Sequence, residues 1–357
     1  MKHTILYLTL LFDENRANIH THSKTTTNMK SKAILLLLSI TLSFSLNAQK
    51  LSFNNDGEFK IVQFTDMHYD QGNPKSDTTL QLIPYILDAE NPDLVIFTGD
   101  IVTGSINGWE DITKFVIDRE IPFAVTLGNH DHENGSTREE IAEVVTSYPF
   151  NINTINNIGG RVLNDAIPVY NSEKHLNVGA LIYCFDSGAY STIEGVGGYG
   201  WITTDQIEWY KKQSMHYTLQ NNLNPLPALA FFHIPLPEYR TAFNDENNIR
   251  FGERNEDECP SEINSGMFLA MREMRDVMAT FVGHDHVNDY IVNYYGIALA
   301  YGHFSGWNNT YTPKPVINGA RVVVLKENKR EFDSWLHQLN GTIKHKITYP
   351  TDFEQTH

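Results

Sequence analysis

Five short apolar runs in this chain each end on a residue able to bind a metal. Residues 61–65 lead into Asp66, Met67 and His68, and residues 94–98 into Gly99 and Asp100. Residues 123–127 lead into Gly128, Asn129, His130 and Asp131. Residues 228–232 run into His233, and residues 279–282 into Gly283, His284, Asp285 and His286. Short runs that are apolar at nearly every position fit strands buried on both faces. Ligands of open α/β sheets sit beyond the carboxyl ends of the strands, so the five ends are expected to meet in one crevice holding two metal ions.

Between these runs the apolar spacing changes to that of helices. Residues 76–89 place Leu80, Ile83, Ile86 and Leu87 at helical intervals, with Pro84 expected to kink or break the helix. Ser136 to Glu139 has the form of a capping box opening a helix that carries Ile141, Val144 and Val145. Thr203 to Gln206 opens another, with Ile207, Tyr210 and Met215 on its apolar side. A further helix is expected over residues 264–276. Residues 290–294, 297–301 and 320–325 then follow as strands with no helix between them, which predicts a second, partly antiparallel sheet. The expected fold is α/β, a sandwich of two sheets flanked by helices, with its domain over residues 51–340. Residues 150–180 and 236–262, rich in Asn, Gly, Pro and acids, are expected to be substrate-side loops.

The N-terminus stands apart from this alternation. Lys30 and Lys32 precede the apolar residues 33–46, and Ala48 offers a small residue before Gln49. That tripartite pattern reads as a secretory signal peptide over residues 29–48, and residues 1–28 read as an upstream extension from a misassigned start. The expected protein is exported, periplasmic or secreted, with no stable membrane insertion once the leader is removed. The net charge of −16 becomes −19 without the leader's five Lys/Arg and two Asp/Glu. Such a surface is poorly suited to nucleic acid, whose non-specific affinity depends on Lys and Arg neutralising phosphates. Cys184 in an apolar strand and Cys259 in a polar loop are expected to be free thiols.

Carboxylate, imidazole and carboxamide donors together suit ions such as Zn, Mn or Fe. A dinuclear centre needs an anionic bridge, because a shared carboxylate offsets the repulsion between neighbouring cations. Asp100, alone after Gly99, is the natural bridge. Asp66 and His68 are two apart, so a turn must bring both to one ion. Asn129 supplies a neutral oxygen, and His284 and His286 are placed to reach different ions.

Asp66 with His68, Gly99-Asp100, Gly128-Asn129-His130-Asp131, His233, and Gly283-His284 with His286 together resemble the calcineurin-like metallophosphoesterase superfamily over residues 58–335. Phe232 to Tyr239, Tyr199 to Ile202, Ile263 to Gly266 and Gly283 to Asp289 are similar to its purple-acid-phosphatase-like branch. The resemblance implies Asp66, His68, Asp100 and His286 on one metal, and Asp100, Asn129, His233 and His284 on the other. It implies that His130 contacts the scissile phosphate and protonates the leaving oxygen. Asp131 is expected either to orient His130 or only to precede the helix. Asn264, His303 and Trp307 lie in segments expected to rim the site.

Two departures leave the metals open. Purple acid phosphatases carry a metal-bound tyrosine shortly after the bridging aspartate, where this chain has Ile101, Val102, Thr103 and Gly104, and their first motif lacks the histidine that His68 provides. The expectation is a phosphoesterase hydrolysing small phosphomonoesters by metal-hydroxide attack. The alternatives are a phosphodiesterase on lipid headgroups or cyclic nucleotides and a non-catalytic metal-binding module.

Overall fold

The computed structural model describes residues 50–354 apart from 174, 175 and 313. The proposed leader and upstream extension lie outside the described residues. No helix among the described residues is long and apolar enough to cross a membrane.

In chain order the strands are β1 (Glu58–Phe64), β2 (Leu94–Thr98), β3 (Phe123–Thr126), a short hairpin of β4 (Asn157–Ile158) and β5 (Arg161–Val162), β6 (Asp165–Tyr170), β7 (Val178–Cys184) and β8 (Ala228–Phe231). They continue as β9 (Arg250–Phe251), β10 (Val277–Val282), β11 (Ile291–Tyr294), β12 (Ile297–Tyr301), β13 (Gly319–Lys326), β14 (Phe332–Gln338) and β15 (Ile343–Tyr349). One six-stranded sheet runs β15-β14-β13-β1-β2-β3, and one seven-stranded sheet runs β6-β7-β8-β10-β12-β11-β9. Helices α1 (Asp77–Glu90), α2 (Gly108–Ile117), α3 (Arg138–Ser147), α4 (Thr204–Gln220), α5 (Glu238–Asn244) and α6 (Met267–Met274) complete the layers.

Alternation along the strands explains the stacking. In β1, Phe59 and Ile61 enter a core shared with Leu229, Phe231 and Phe281 of the other sheet, while Val62 and Phe64 point to the opposite face. There they meet Leu82, Ile86, Trp109 and Ile112 of α1 and α2. The outer face of the second sheet packs Tyr183 and Ala230 against Tyr210, Tyr239 and Met271 of α4, α5 and α6. The result is a helix–sheet–sheet–helix sandwich, in which every central strand is covered on both sides.

Several local expectations change. Residues 290–325 do not build a separate sheet: β11 and β12 join β10, with β12 parallel to it, whereas β13 crosses to pair antiparallel with β1. The domain extends beyond residue 340, because β15 pairs along β14. α1 runs through Pro84 without a break. The α3 cap is one residue later than expected, with Thr137 accepting from the Glu140 amide and Glu140 returning to the Thr137 amide. The Thr203–Gln206 box is formed as expected. The helix expected over 264–276 is the shorter α6, with Gly266 at its N-cap. Much of 150–180 is strand, and Asn171 and Asn177 lie with Pro227 at the start of β8, the end of the sheet remote from His233. Residues 236–262 instead border the metal ligands, since the Asn255 amide donates to Asn288 and the Cys259 amide to Asp285. Cys184 and Cys259 are both free.

Candidate metal centre

The five strand ends converge as expected, but from two sheets. β1, β2 and β3 of the six-stranded sheet face β8 and β10 of the seven-stranded sheet. Immediately after the strands the chain turns into left-handed backbone at Asp66 (φ 53°), His68 (φ 45°), Asp100 (φ 52°) and His284 (φ 81°). Non-glycine residues avoid that region, and such strain concentrates at functional sites because surrounding contacts must hold it. The turns redirect these side chains into the crevice. Gly99 permits a close approach between the sheets: a Cβ there would stand 2.5 Å from His233 Nδ1 and 2.7 Å from Gly128 Cα.

The ligand atoms form two buried triads, Asp66 with His68 and His286, and Asp100 with His233 and His284. His68 Nε2 and His286 Nε2 are 3.1 Å apart. Asp100 Oδ2 lies between the triads, 3.1 Å from His233 Nε2 and 3.8 Å from His68 Nε2, which is where a bridging oxygen belongs. Its other oxygen, Oδ1, accepts the His130 backbone N–H at 2.7 Å.

Tautomers are fixed from behind. His233 Nδ1 donates to Thr98 O at 2.8 Å and His286 Nδ1 to Tyr311 O at 2.7 Å, so in its neutral form each ring turns an Nε2 lone pair into the crevice. Asn129 Oδ1 and His284 Nε2 are buried without a hydrogen-bond partner. Buried polar atoms are costly to leave unmet, and two such atoms beside the triads fit bound cations.

Electrostatics separates the imidazoles. Burial, only partly opposed by Asp100, pushes His68 down to about 3, so it is neutral and ready to ligate. Burial likewise holds His284 well below the usual histidine range, with the His233 charge adding to it. At His233 burial acts downward, but the Asp100 and Asp66 carboxylates outweigh it and raise the group to about 10.

Asp131 does not orient His130, and its expected catalytic role is corrected. Its carboxylate accepts the backbone N–H groups of Asp100 (2.9 Å), Ile101 (2.8 Å), Val102 (3.1 Å) and Gly128 (2.7 Å), so it shapes the turn that presents Asp100. The partner of His130 is Glu133, whose Oε2 lies 2.6 Å from Nδ1. Sequence reasoning missed Glu133, although its place three residues after His130 is the signal that could have found it. Glu133 Oε1 accepts from the Tyr190 hydroxyl at 2.8 Å, Tyr190 stacks on Tyr199, and Tyr199 meets the His284 ring edge-on with centroids 4.2 Å apart.

The remaining expected rim residues divide. Asn264 is bonded to Glu238 at 2.8 Å beside the Pro235–Pro237 turn, not to the triads. His303 donates Nε2–H to Ile317 O at 2.9 Å and lines a cavity alongside His286. Trp307 belongs to a loop that does border the site, since its amide is held by Asn309, whose side chain contacts the His68 carbonyl.

Comparison with known proteins agrees with this geometry. The family model for calcineurin-like phosphoesterase matches residues 59–288. The chain is 33% identical over 323 residues to "Probable inactive purple acid phosphatase 29" of Arabidopsis thaliana, covering 80% of this chain and 82% of that protein. It is 31% identical to "Phosphatase DCR2" of Saccharomyces cerevisiae, over 83% of this chain and 56% of the yeast protein. Among solved structures, a dimetal phosphatase from Danio rerio superposes with a TM-score of 0.54 at 12% identity, covering 81% of this chain and 98% of that one, a likeness of fold.

Proposed function

Because this chain belongs to the calcineurin-like phosphoesterase family, we propose that it is a dinuclear metal-dependent phosphomonoesterase that acts on small phosphate esters outside the cytoplasm. The observation that carries the reading is Asp100 Oδ2 standing between two complete, buried donor sets. The Arabidopsis relative is named as a probable inactive phosphatase, whereas every ligand position implied by the superfamily pattern is filled in this chain.

Asp66, His68, Asp100 and His286 would hold one ion, and Asp100, Asn129, His233 and His284 the other. When bound, the ions supply Lewis acidity, neutralising phosphate oxygens and acidifying water. The remaining work falls to the chain. Asp131 keeps Asp100 in its bridging position through four backbone N–H groups. Glu133 accepts the Nδ1–H of His130 in a hydrogen bond, and the doubly protonated ring would give its Nε2 proton to the departing alcohol, ending neutral with Nδ1–H still held by Glu133. The acidic surface disfavours nucleic acid as substrate. Residues 29–48 would direct export, and mass spectrometry of the exported form should then find a start near Gln49.

The test is His130→Ala assayed on alkyl and aryl monoesters, with metal content measured on the same preparation. Turnover of alkyl phosphates should fall roughly 10²–10⁴-fold with both ions retained. The loss should be smaller for nitrophenyl phosphate, whose leaving group needs little protonation. Equal losses would leave His130 as a charge stabiliser only. Wild-type rates higher on matched diesters than on monoesters would sink the monoesterase reading.

A further inference from the structure

Tyr190 stands at the root of a hairpin-like loop that follows β7. It forms an antiparallel bridge with Tyr199, the Ser191 amide donates to Gly198 O at 3.0 Å, and the two tyrosine rings stack with centroids 5.8 Å apart. From there the Tyr190 hydroxyl reaches the turn after β3. It donates to Glu133 Oε1 at 2.8 Å, while Glu133 Oε2 accepts His130 Nδ1–H at 2.6 Å. Burial acts upward on the Glu133 carboxyl, but the hydrogen bonds from His130 and Tyr190 outweigh it and hold the group below the usual range. Burial and the Glu133 contact push the Tyr190 hydroxyl up to about 12, against the neighbouring Asn129 amide, so the hydroxyl remains the donor.

Both ends of this chain of contacts are held by one buried pair. Asp186, fully buried, accepts two N–H groups of Arg138 and the Gly188 amide at 2.8 Å, which fixes the start of the Tyr190 loop. Arg138 also donates to Leu127 O at 3.2 Å and Gly128 O at 2.6 Å, the carbonyls just ahead of Asn129 and His130. Tyr190 and Glu133 are therefore brought together by a frame already ordered, and their hydrogen bond forms with little further loss of entropy. His130 needs such a hold. With 36% of its side chain exposed, packing alone leaves the imidazole free to turn about χ2.

We infer that Tyr190 is a positioning residue for phosphoester cleavage, holding the His130 imidazole through Glu133 so that Nε2 faces the departing alcohol. The inference rests on the phosphomonoesterase reading for its chemistry but not for the contact itself. Tyr190 takes no part in bond breaking, and its effect passes wholly through His130.

The experiment is a double-mutant cycle of Tyr190→Phe and His130→Ala on an alkyl phosphate, with metal content measured on each preparation. Tyr190→Phe keeps the ring for its stack on Tyr199 and removes only the hydroxyl. In the otherwise wild-type chain it should lower kcat roughly 10-fold with KM little changed, the lower end for a hydrogen bond to a charged group because water reaches Glu133. The loss should shrink on nitrophenyl phosphate. In the His130→Ala background the same substitution should change turnover by less than about 2-fold, since residues acting as one unit are not additive. Equal losses in the two backgrounds would overturn the inference, and loss of an ion from Tyr190→Phe would reassign the hydroxyl to support of Asn129. A second measurement needs no turnover. In zinc-loaded protein the His130 Nδ1–H proton resonance, identified by its disappearance in His130→Ala, should be sharp in wild type and broadened by solvent exchange in Tyr190→Phe. That result supports the positioning role even if no monoester is hydrolysed, in which case only the catalytic reading falls. A resonance absent from wild type, or unchanged in Tyr190→Phe, would overturn the role while leaving the catalytic reading intact.

Discussion

The strand ends of the six-stranded sheet carry Asp66, His68, Asp100, Asn129 and His130, whereas the candidate ligands at those of the seven-stranded sheet are all imidazoles, His233, His284 and His286. Each set is incomplete. The two ligand carboxylates on one sheet, Asp66 and Asp100, need positive charge opposite them, and three imidazole ligands by themselves offer nitrogen donors but no bridge. Docking of the sheets supplies what each lacks: the His284 amide donates to Asp66 at 3.0 Å, and His233 donates to Thr98 O at 2.8 Å across the same gap. The centre is therefore a product of sheet-on-sheet packing, with the bridging residue on one sheet and most of the nitrogen donors on the other.

The largest test of that division exchanges one residue from each side. Asp100→Ala removes the shared oxygen and should empty both sites, with activity falling on the order of 10³-fold or more, since the ions contribute several kcal/mol to charge stabilisation. His286→Ala removes a donor of one triad only and should leave one ion bound. Metal analysis that found equal losses in the two variants would show that Asp100 has no special standing as a bridge.

A smaller effect separates the two kinds of imidazole by pH. In the metal-free protein His233 sits at about 10 against an ordinary 6.5, so its pairing with Asp100 stabilises the fold fully below about pH 6.5 and is lost as pH rises through about 10. His68, pushed down to about 3, adds no such dependence above neutrality. The thermal midpoint of chelator-treated protein should therefore drop by a few degrees between pH 7 and pH 10, the scale of about a kcal/mol in a domain of this size. Metal loading at pH 8 should release a proton from His233, visible as a binding enthalpy that changes with the ionisation heat of the buffer. An enthalpy independent of buffer would mean that His233 is already neutral.

Apolar runs of four or five residues ending in Asp, Asn or His fixed much of this protein before any tertiary contact was considered. Strand period and buried length are local properties, so β1, β2, β3, β8 and β10 and the ligands that follow them were legible, as was the Thr203 capping box. Sheet membership was not legible, because pairing is a contact between segments far apart in the chain: nothing local in residues 290–325 says that β12 joins β10 while β13 crosses to β1. The role of Asp131 depended likewise on where four backbone N–H groups came to rest, and that of Glu133 on which way the turn after His130 folded. Sequence determined which donors the chain possesses and that they end strands. Only the docking of the two sheets decided which donors share an ion, because ligand sets are defined by distances of a few ångströms between residues up to 220 positions apart, such as Asp66 and His286.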